Sequence, residues 1–421
     1  MKIEKLKEVI VDQQAFFSQK KDLLKRDGDF SSLLKTEDIV AIIGARRAGK
    51  SSLLHIFSHE IKTPFLYLHF DDIRLIDFSI DNCTDAENIA SQLYPSQEKI
   101  TFFLDEIQNI PSWERWVNTL HMKGHKVFIT GSNSNLLSSE LSTFLTGRHR
   151  SISLYPFSFR EFILYKQEKI PENIDLSTSQ QKNLILSLFF KYIKIGGFPQ
   201  AVKENDYQVT RQYFSDSIEK DIFNRYAIRD RKEIKDMALF LATNSGEKVS
   251  YSTLKNITGI KSVGTVKNYL EHLKSTFLFM GISLYDFSLK RQQINSQKIY
   301  SLDTGMIHSV AFNFSENKGK MLEHLVFLEL KRRGAEVYYH HKNGECDFVI
   351  KSGYSISHAY QVSVSLEDQK TKDREIKGLL SALHEYSLDE GFIITEQEEY
   401  VFEKDKKKIH VLPFWKWALT R

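Results

Sequence analysis

Residues 38–56 read DIVAIIGARRAGKSSLLHI. The run DIVAII is short and apolar, as in a strand buried on both faces. Gly44-Ala45-Arg46-Arg47-Ala48-Gly49-Lys50-Ser51 then satisfies the spacing G-x-x-x-x-G-K-[ST], and a helical pattern follows it. The glycines let backbone N–H groups curl round phosphate oxygens, and the N-terminus of the helix adds a favourable dipole. On this reading Gly44, Ala45, Arg46, Arg47, Ala48, Gly49, Lys50, Ser51 and Ser52 hold a nucleotide, ATP. Lys50 reaches the β- and γ-phosphates, and the Ser51 hydroxyl ligates Mg²⁺. The paired arginines are unusual in such a loop; phosphate, a partner or DNA would each suit them.

Further apolar runs follow at 65–70 (FLYLHF), 101–104 (TFFL), 126–130 (KVFIT) and 151–155 (SISLY), with helical patterns between most of them. Such alternation predicts an α/β domain built on a mostly parallel sheet. The second run ends in Asp105-Glu106. An Asp at that place serves the Mg²⁺ shell, and a Glu beside it orients and polarises the attacking water. The third ends at Gly131-Ser132-Asn133, where a polar side chain is placed to touch the γ-phosphate or the water. The stretch NLLSSELSTFLTG then reads as a helix leading to Arg148. An arginine there either faces the nucleotide of a neighbouring subunit or is a helix-end cation favoured by the dipole.

Residues 1–30 read as an amphipathic helix with Ile3, Leu6, Val9 and Ile10 on one face. The opening lacks the continuous apolar core of a secretion signal, and no stretch approaches about 18 uncharged apolar residues. The 421 residues hold 41% hydrophobic and 27% charged side chains, an ordinary globular balance that excludes a mainly disordered chain. Two cysteines, Cys83 and Cys346, fit a reducing compartment and complete no disulfide framework. The expectation is a cytoplasmic protein without a membrane partner. The net charge of +4 is too small to point to a nucleic-acid partner by itself.

Five stretches taken together resemble a known family. They are the loop with its paired arginines, FFLDEIQNIPSWERWV, ITGSNSNLLSSELSTFLTGR, YPFSFREF and GGFP. The family is that of prokaryotic AAA+-type P-loop ATPases with a nuclease-like C-terminal domain. The resemblance implies an AAA+ core at 1–157, a helical lid at 158–245, a winged-helix segment at 246–310 and a PD-(D/E)XK-like α/β domain at 316–421. By motif position it makes Lys50 and Ser51 the nucleotide and Mg²⁺ ligands. Asp105 and Glu106 become the second acidic motif, Ser132/Asn133 the sensor and Arg148 the arginine finger of a homo-oligomer.

The charge distribution says more than its sum. Residues 246–299 hold eight Lys/Arg against three acids, a surplus of +5. Ser252–Thr258 and Ser262–Ser275 read as two helices with Gly259 between them, the second turning Val266, Tyr269, Leu270 and Leu273 inward. Lys261, Thr265, Lys267 and Asn268 would then lie where recognition helices meet DNA. SLKRQQINSQ, with Lys290 and Arg291, reads as a basic wing. Such folds also serve as protein contacts, and a basic face also occurs as a merely solvated one.

In the C-terminal part, a metal-dependent nuclease wants a carboxylate on a helix, an Asp at a strand end and Glu-x-Lys on the next strand. The chain offers Glu323 and Asp347, then Gln361 in place of Glu and Ser363 in place of Lys. A Gln carbonyl can still face a metal, but a serine cannot replace an ammonium; Lys351 or Lys377 is the nearest substitute. Taken alone, Glu323 and Asp347 also read as surface carboxylates. The favoured reading is a Mg²⁺-dependent ATPase coupled to DNA, with a degenerate nuclease-like domain. Its rivals are a nucleotide-gated protein-interaction ATPase in regulation or defence, and an ATP-gated nuclease.

Overall fold

The computed structural model describes residues 1–133, 147–226, 228, 230–311 and 318–420. Most of the helix read before Arg148, residues 135–146, lies outside the described residues. The chain divides into two compact units, Met1–Tyr155 with 275–277, and Pro156–Lys274 with Leu278–Arg421.

The first unit is α/β. Five parallel strands, β1 (Ile39–Ile43), β2 (Phe65–His69), β3 (Thr101–Asp105), β4 (Lys126–Gly131) and β5 (His149–Ser153), lie in the order β2-β3-β4-β1-β5. Successive side chains on a strand point to opposite faces, so apolar runs feed two cores at once. Ile39, Ala41, Leu66, Leu68, Phe102, Leu104, Val127 and Ile129 pack in one core with Leu6, Val9, Ile10, Ile89, Trp116 and Val117. Val40, Ile42, Tyr67, Phe103 and Phe128 pack in the other with Leu53, Leu54 and Phe57 of the helix Lys50–Glu60. Each buried Leu, Ile or Phe contributes about 1.5–3 kcal/mol of transfer free energy, and both cores hold many.

One expectation is corrected at the start of the chain. The first helix is Ile3–Phe17, not residues 1–30. The apolar periodicity stops at Phe17, and the stretch that follows is rich in Lys and Asp and broken at Gly28.

The second unit opens with helices started by defined caps. Ser158 and Glu161 form a capping box for Phe159–Tyr165, and Thr178 and Gln181 form one for Ser179–Ile195. The second helix ends at Gly196, φ +78°, where an added Cβ would stand 2.1 Å from Asp303 Oδ1. Asp303 accepts from Gly197 N at 2.6 Å and from Met306 N at 3.1 Å. The sequence GGFP is therefore a docking point for the turn at Asp303.

The helices Tyr251–Thr258 and Val263–Ser275 flank a turn in which Gly259 is left-handed at φ +74°. Val266, Tyr269, Leu270 and Leu273 are buried, as the periodicity requires. The strands β6 (Lys248–Val249), β7 (Phe279–Ile282) and β8 (Gln297–Ser301) form an antiparallel sheet in the order β6-β8-β7. Between β7 and β8 the expected basic wing is instead a short helix, Leu289–Ile294, with Ser288 at its cap accepting from Arg291 N. A Ser cap ahead of Leu-Lys-Arg-Gln-Gln favours helix over an extended hairpin.

The remainder is a six-stranded mixed sheet. Its strands are β9 (Glu336–His341), β10 (Glu345–Ser352), β11 (Ser355–Val362), β12 (Glu390–Thr395), β13 (Tyr400–Lys404) and β14 (Lys407–Pro413), in the order β13-β14-β12-β11-β10-β9. The helix Gln369–Glu385 connects β11 to its parallel neighbour β12, burying Ile376, Leu379, Leu380 and Leu383 over Cys346, Val349 and Ile393. Among the described residues no helix is long and apolar enough to cross a membrane.

Candidate functional sites

In a parallel sheet all strands end at one edge, where loops carry function. Here β4 lies between β1 and β3. The glycine loop after β1 and the acids ending β3 therefore stand two strand spacings apart, about 10 Å, with the end of β4 between them. That gap suits the terminal phosphates of a nucleotide and a water.

The loop is held by close backbone approach. A Cβ on Gly44 would stand 2.3 Å from Leu154 O. Gly49, φ +103°, starts the helix Lys50–Glu60 from a left-handed conformation that glycine adopts freely. Arg26 is buried behind the loop and donates to Ala48 O at 3.1 Å and to Tyr155 O at 2.6 Å. Arg46 pairs with Asp71 at 3.1 Å, and Asn109 donates to the same carboxylate at 2.6 Å. Arg47 is exposed in the left-handed region, φ +67°.

Lys50 is only 4% exposed. Its Nζ donates to Gly44 O at 3.1 Å and Ala45 O at 3.2 Å, and pairs with Glu106 Oε1 at 3.1 Å. Glu106 Oε2 accepts from Gln108 Nε2 at 2.5 Å. Burial alone would raise the Glu106 carboxyl, but Lys50 and Gln108 outweigh it and hold the group at about 2. Glu106 is thus an anion matched by the lysine that a phosphate would claim. Its backbone is left-handed, φ +54°, and its N–H donates to Thr130 Oγ1 at 2.9 Å.

Asp105 is fully buried; Tyr67 OH donates to its Oδ2 at 2.8 Å and Thr130 Oγ1 donates to its Oδ1. Those two hydroxyls fix the carboxylate at the end of β3. With the Ser51 hydroxyl it offers hard oxygen donors of the kind Mg²⁺ takes, so the donor set fits that ion. Ser132 and Asn133 are buried at the end of β4, and among the described residues the Ser132 hydroxyl has no hydrogen-bond partner.

Arg148 lies elsewhere. Its carbonyl accepts from Ile39 N at 2.9 Å and its guanidinium donates to Asn118 Oδ1 at 3.2 Å, at the start of β1 and β5. At about 3.3 Å per residue, the length of β1 puts it roughly 15 Å from the loop. Sequence reading missed Arg26, Tyr67, Gln108 and Thr130. Arg26, Tyr67 and Thr130 act through contacts far along the chain, with only the strand-end position of Thr130 as a local signal, while Gln108 stands two residues from Glu106 inside FFLDEIQNIPSWERWV and was passed over.

In the second unit Lys261, Lys267, Asn268, Lys290 and Arg291 are exposed, with Arg291 3.7 Å from Asp286. Lys298 behaves differently. It is 4% exposed, and its Nζ stands 2.9 Å from Glu323 Oε1, 3.0 Å from Asp347 Oδ1 and 3.4 Å from Glu345 Oε1. Burial acts to lower its ammonium, but Asp347, Tyr300 and Glu323 drive it well above the ordinary lysine range. Lys248 pairs with Glu345 at 2.6 Å. Two of the eight basic residues counted in 246–299 are therefore spent on acids of the C-terminal part.

Glu323 and Asp347 do converge, and the lysine beside them is neither Lys351 nor Lys377. Lys351 pairs with Glu336 at 3.0 Å, and Lys377 is exposed. Gln361 accepts from Asp347 N through Oε1 at 3.2 Å and donates to the buried Glu375 through Nε2. Ser363 Oγ donates to Ser365 O at 2.8 Å.

A family model described as "AAA domain" matches residues 36–163, and one described as "Domain of unknown function (DUF8612)" matches residues 186–317. Uncharacterized protein MJ1544 of Methanocaldococcus jannaschii is 33% identical over 438 residues, which is 98% of this chain and 95% of that protein. An uncharacterized protein of Haemophilus influenzae is 32% identical over 335 residues, 75% of this chain and 81% of its own length. Among solved structures, the ORC2 protein of Aeropyrum pernix in its ADP form is similar at 11% identity and a TM-score of 0.34, covering 76% of this chain and 98% of that one. A likeness so distant carries no function across.

Proposed function

The chain belongs to the family of MJ1544 from Methanocaldococcus jannaschii, and from that premise we propose a Mg²⁺-dependent ATP hydrolase whose cycle is coupled to DNA binding or remodelling. The observation that carries the reading is the buried Lys50–Glu106 pair beneath the glycine loop of an AAA domain. Lys50 leaves Glu106 and the two loop carbonyls for the phosphates of ATP. Glu106, no longer neutralised, accepts a proton from the attacking water. Gln108 keeps the carboxylate in place. Ser132 and Asn133 meet the γ-phosphate from the end of β4. Ser51 and Asp105 would hold Mg²⁺, which would supply positive charge to the phosphates.

Arg148 lies at the opposite end of β1 from the loop of its own subunit. A catalytic role for it requires a neighbouring copy whose nucleotide it reaches. Hydrolysis would then depend on assembly.

The DNA contact rests on Lys261, Lys267, Asn268, Lys290 and Arg291, grouped on the helix-turn-helix module and the short helix after it. The rival is a nucleotide-gated protein-interaction ATPase. One observation favours it: Lys248 and Lys298 are neutralised internally, so the basic surplus facing solvent is smaller than the sequence suggests.

ATP hydrolysis measured with and without single-stranded, duplex and branched DNA separates the two. Stimulation by one DNA form supports the coupled reading and names the substrate shape. Hydrolysis indifferent to all three favours a protein partner.

A further inference from the structure

The family resemblance attaches a divalent metal to the C-terminal carboxylates, and the residues present do not fit one. Lys298 comes from β8 of the three-stranded sheet, while Glu323 lies on the helix Lys318–Arg332 and Glu345 and Asp347 lie on β10. Three carboxylates from two elements thus converge on one buried nitrogen.

Both carboxylates nearest the lysine already hold protein donors. Glu323 Oε1 accepts from both Lys298 Nζ and Tyr300 OH, the latter at 2.6 Å. Asp347 Oδ1 accepts from Lys298 and Oδ2 from Val362 N at 3.0 Å. Gln361, at the strand position where a third acid is wanted, spends its carbonyl on Asp347 N. Among the described residues no group of three or more His, Cys, Asp or Glu side chains is arranged to hold a metal ion.

We propose that the Lys298 ammonium occupies the cation position of this carboxylate set, so that the C-terminal part is a metal-free ionic clasp on the helix-turn-helix module rather than a nuclease. The charge logic is direct. Buried carboxylates demand a cation, and a buried ammonium demands anions. Each satisfies the other here. Mg²⁺ needs the same oxygens at about 2.0–2.1 Å, and it would have to sit against the ammonium that already binds them. Lys248 on Glu345 and Tyr300 on Glu323 add two more bonds between the small sheet and the C-terminal part. β8 therefore cannot withdraw without leaving Glu323 and Asp347 without the cation that neutralises them.

The inference does not rest on ATP hydrolysis, and its test is separate from any turnover assay. Mn²⁺ binding to the nucleotide-free full chain, followed by electron paramagnetic resonance, should be the same for the wild type and Asp347→Asn. Lys298→Ala should gain one saturable Mn²⁺ site, with at least a tenfold gain in affinity at that site, and a melting temperature that Mn²⁺ raises. Adding Asp347→Asn to that variant should abolish both gains.

A wild-type Mn²⁺ site lost in Asp347→Asn would overturn the proposal. So would Mg²⁺-dependent DNA cleavage by the wild type that Asp347→Asn abolishes. A folded Lys298→Ala that gains no Mn²⁺ site would overturn it too. If Lys298→Ala does not fold, the comparison of wild type with Asp347→Asn still decides.

Discussion

Lys50 Nζ and Glu106 Oε1 stand 3.1 Å apart in a pocket that leaves both residues almost wholly buried. The pair holds an ammonium and a carboxylate in one neutral unit. On the proposed function ATP would have to break it, because phosphate competes for the same ammonium. Binding would then also release the carboxylate for work on water.

This exchange predicts opposite effects for two variants. Glu106→Gln should bind ATP at least as tightly as the wild type, since Lys50 no longer has an anionic rival. Its turnover should fall about 10²–10⁴-fold, the range for loss of a positioned general base. Lys50→Ala should lose nucleotide affinity outright. Calorimetric ATP titration beside steady-state hydrolysis checks both. Near-normal turnover in Glu106→Gln would remove that residue from the chemistry.

Arg26 reaches the loop from a segment with no motif. Its guanidinium ties Ala48 O to Tyr155 O, carbonyls more than a hundred residues apart in sequence. A lysine has one point of attachment and cannot hold both in that planar geometry. Arg26→Ala and Arg26→Lys should each weaken ADP binding about tenfold, given roughly 1.5–3 kcal/mol for hydrogen bonds to charged groups. Fluorescent-ADP titration gives the readout. Unchanged affinity in both would make the strap irrelevant to the loop.

Two glycines at positive φ differ in backbone and in surroundings. Gly259 is left-handed (φ +74°, ψ 5°) and a Cβ there meets open space, while Gly196 (φ +78°, ψ −166°) lies in a region open essentially to glycine, where a Cβ also meets Asp303 Oδ1 at 2.1 Å. Gly259→Ala should cost about 1 kcal/mol, the backbone penalty alone. Gly196→Ala should cost more than about 3 kcal/mol, because it also displaces the carboxylate that caps the turn at Asp303. Urea denaturation of both variants tests the difference, and equal midpoints would refute it.

What the sequence made legible follows from how far each signal reaches. Four of the five strands were readable because parallel strands buried on both faces leave uninterrupted apolar runs such as IVAII and TFFL, whereas β5, mostly exposed as HRSIS at the sheet edge, was read two residues late at 151–155. The placing of Lys50, Asp105 and Glu106 at one edge of the sheet was readable because each stands at a fixed spacing from a strand end. Lys298 was not. A local charge count treats it as one more surface cation, and only folding brings β8 beside Glu323 and Asp347. Arg26 was hidden for the same reason. The wing was misread because a polar stretch between two β-type runs looks like a hairpin, and the Ser288 cap was overlooked.

The pairing of the basic residues also decides where DNA would touch. Of the eight basic residues in 246–299, Lys298 and Lys248 are held by carboxylates, while Lys267 and Lys290 are exposed. Only solvent-facing cations can release counterions from DNA. Each phosphate contact contributes about 0.9 to the slope of log affinity against log salt for duplex DNA. Lys267→Glu combined with Lys290→Glu should therefore lower that slope by roughly 2. Affinity should fall by about one to two orders of magnitude at low salt, with basal ATP hydrolysis unchanged. Fluorescence anisotropy across a salt series provides the slope. An unaltered slope would move the contact to another surface, and a wild type that binds no DNA at low salt would return the module to a protein-contact role.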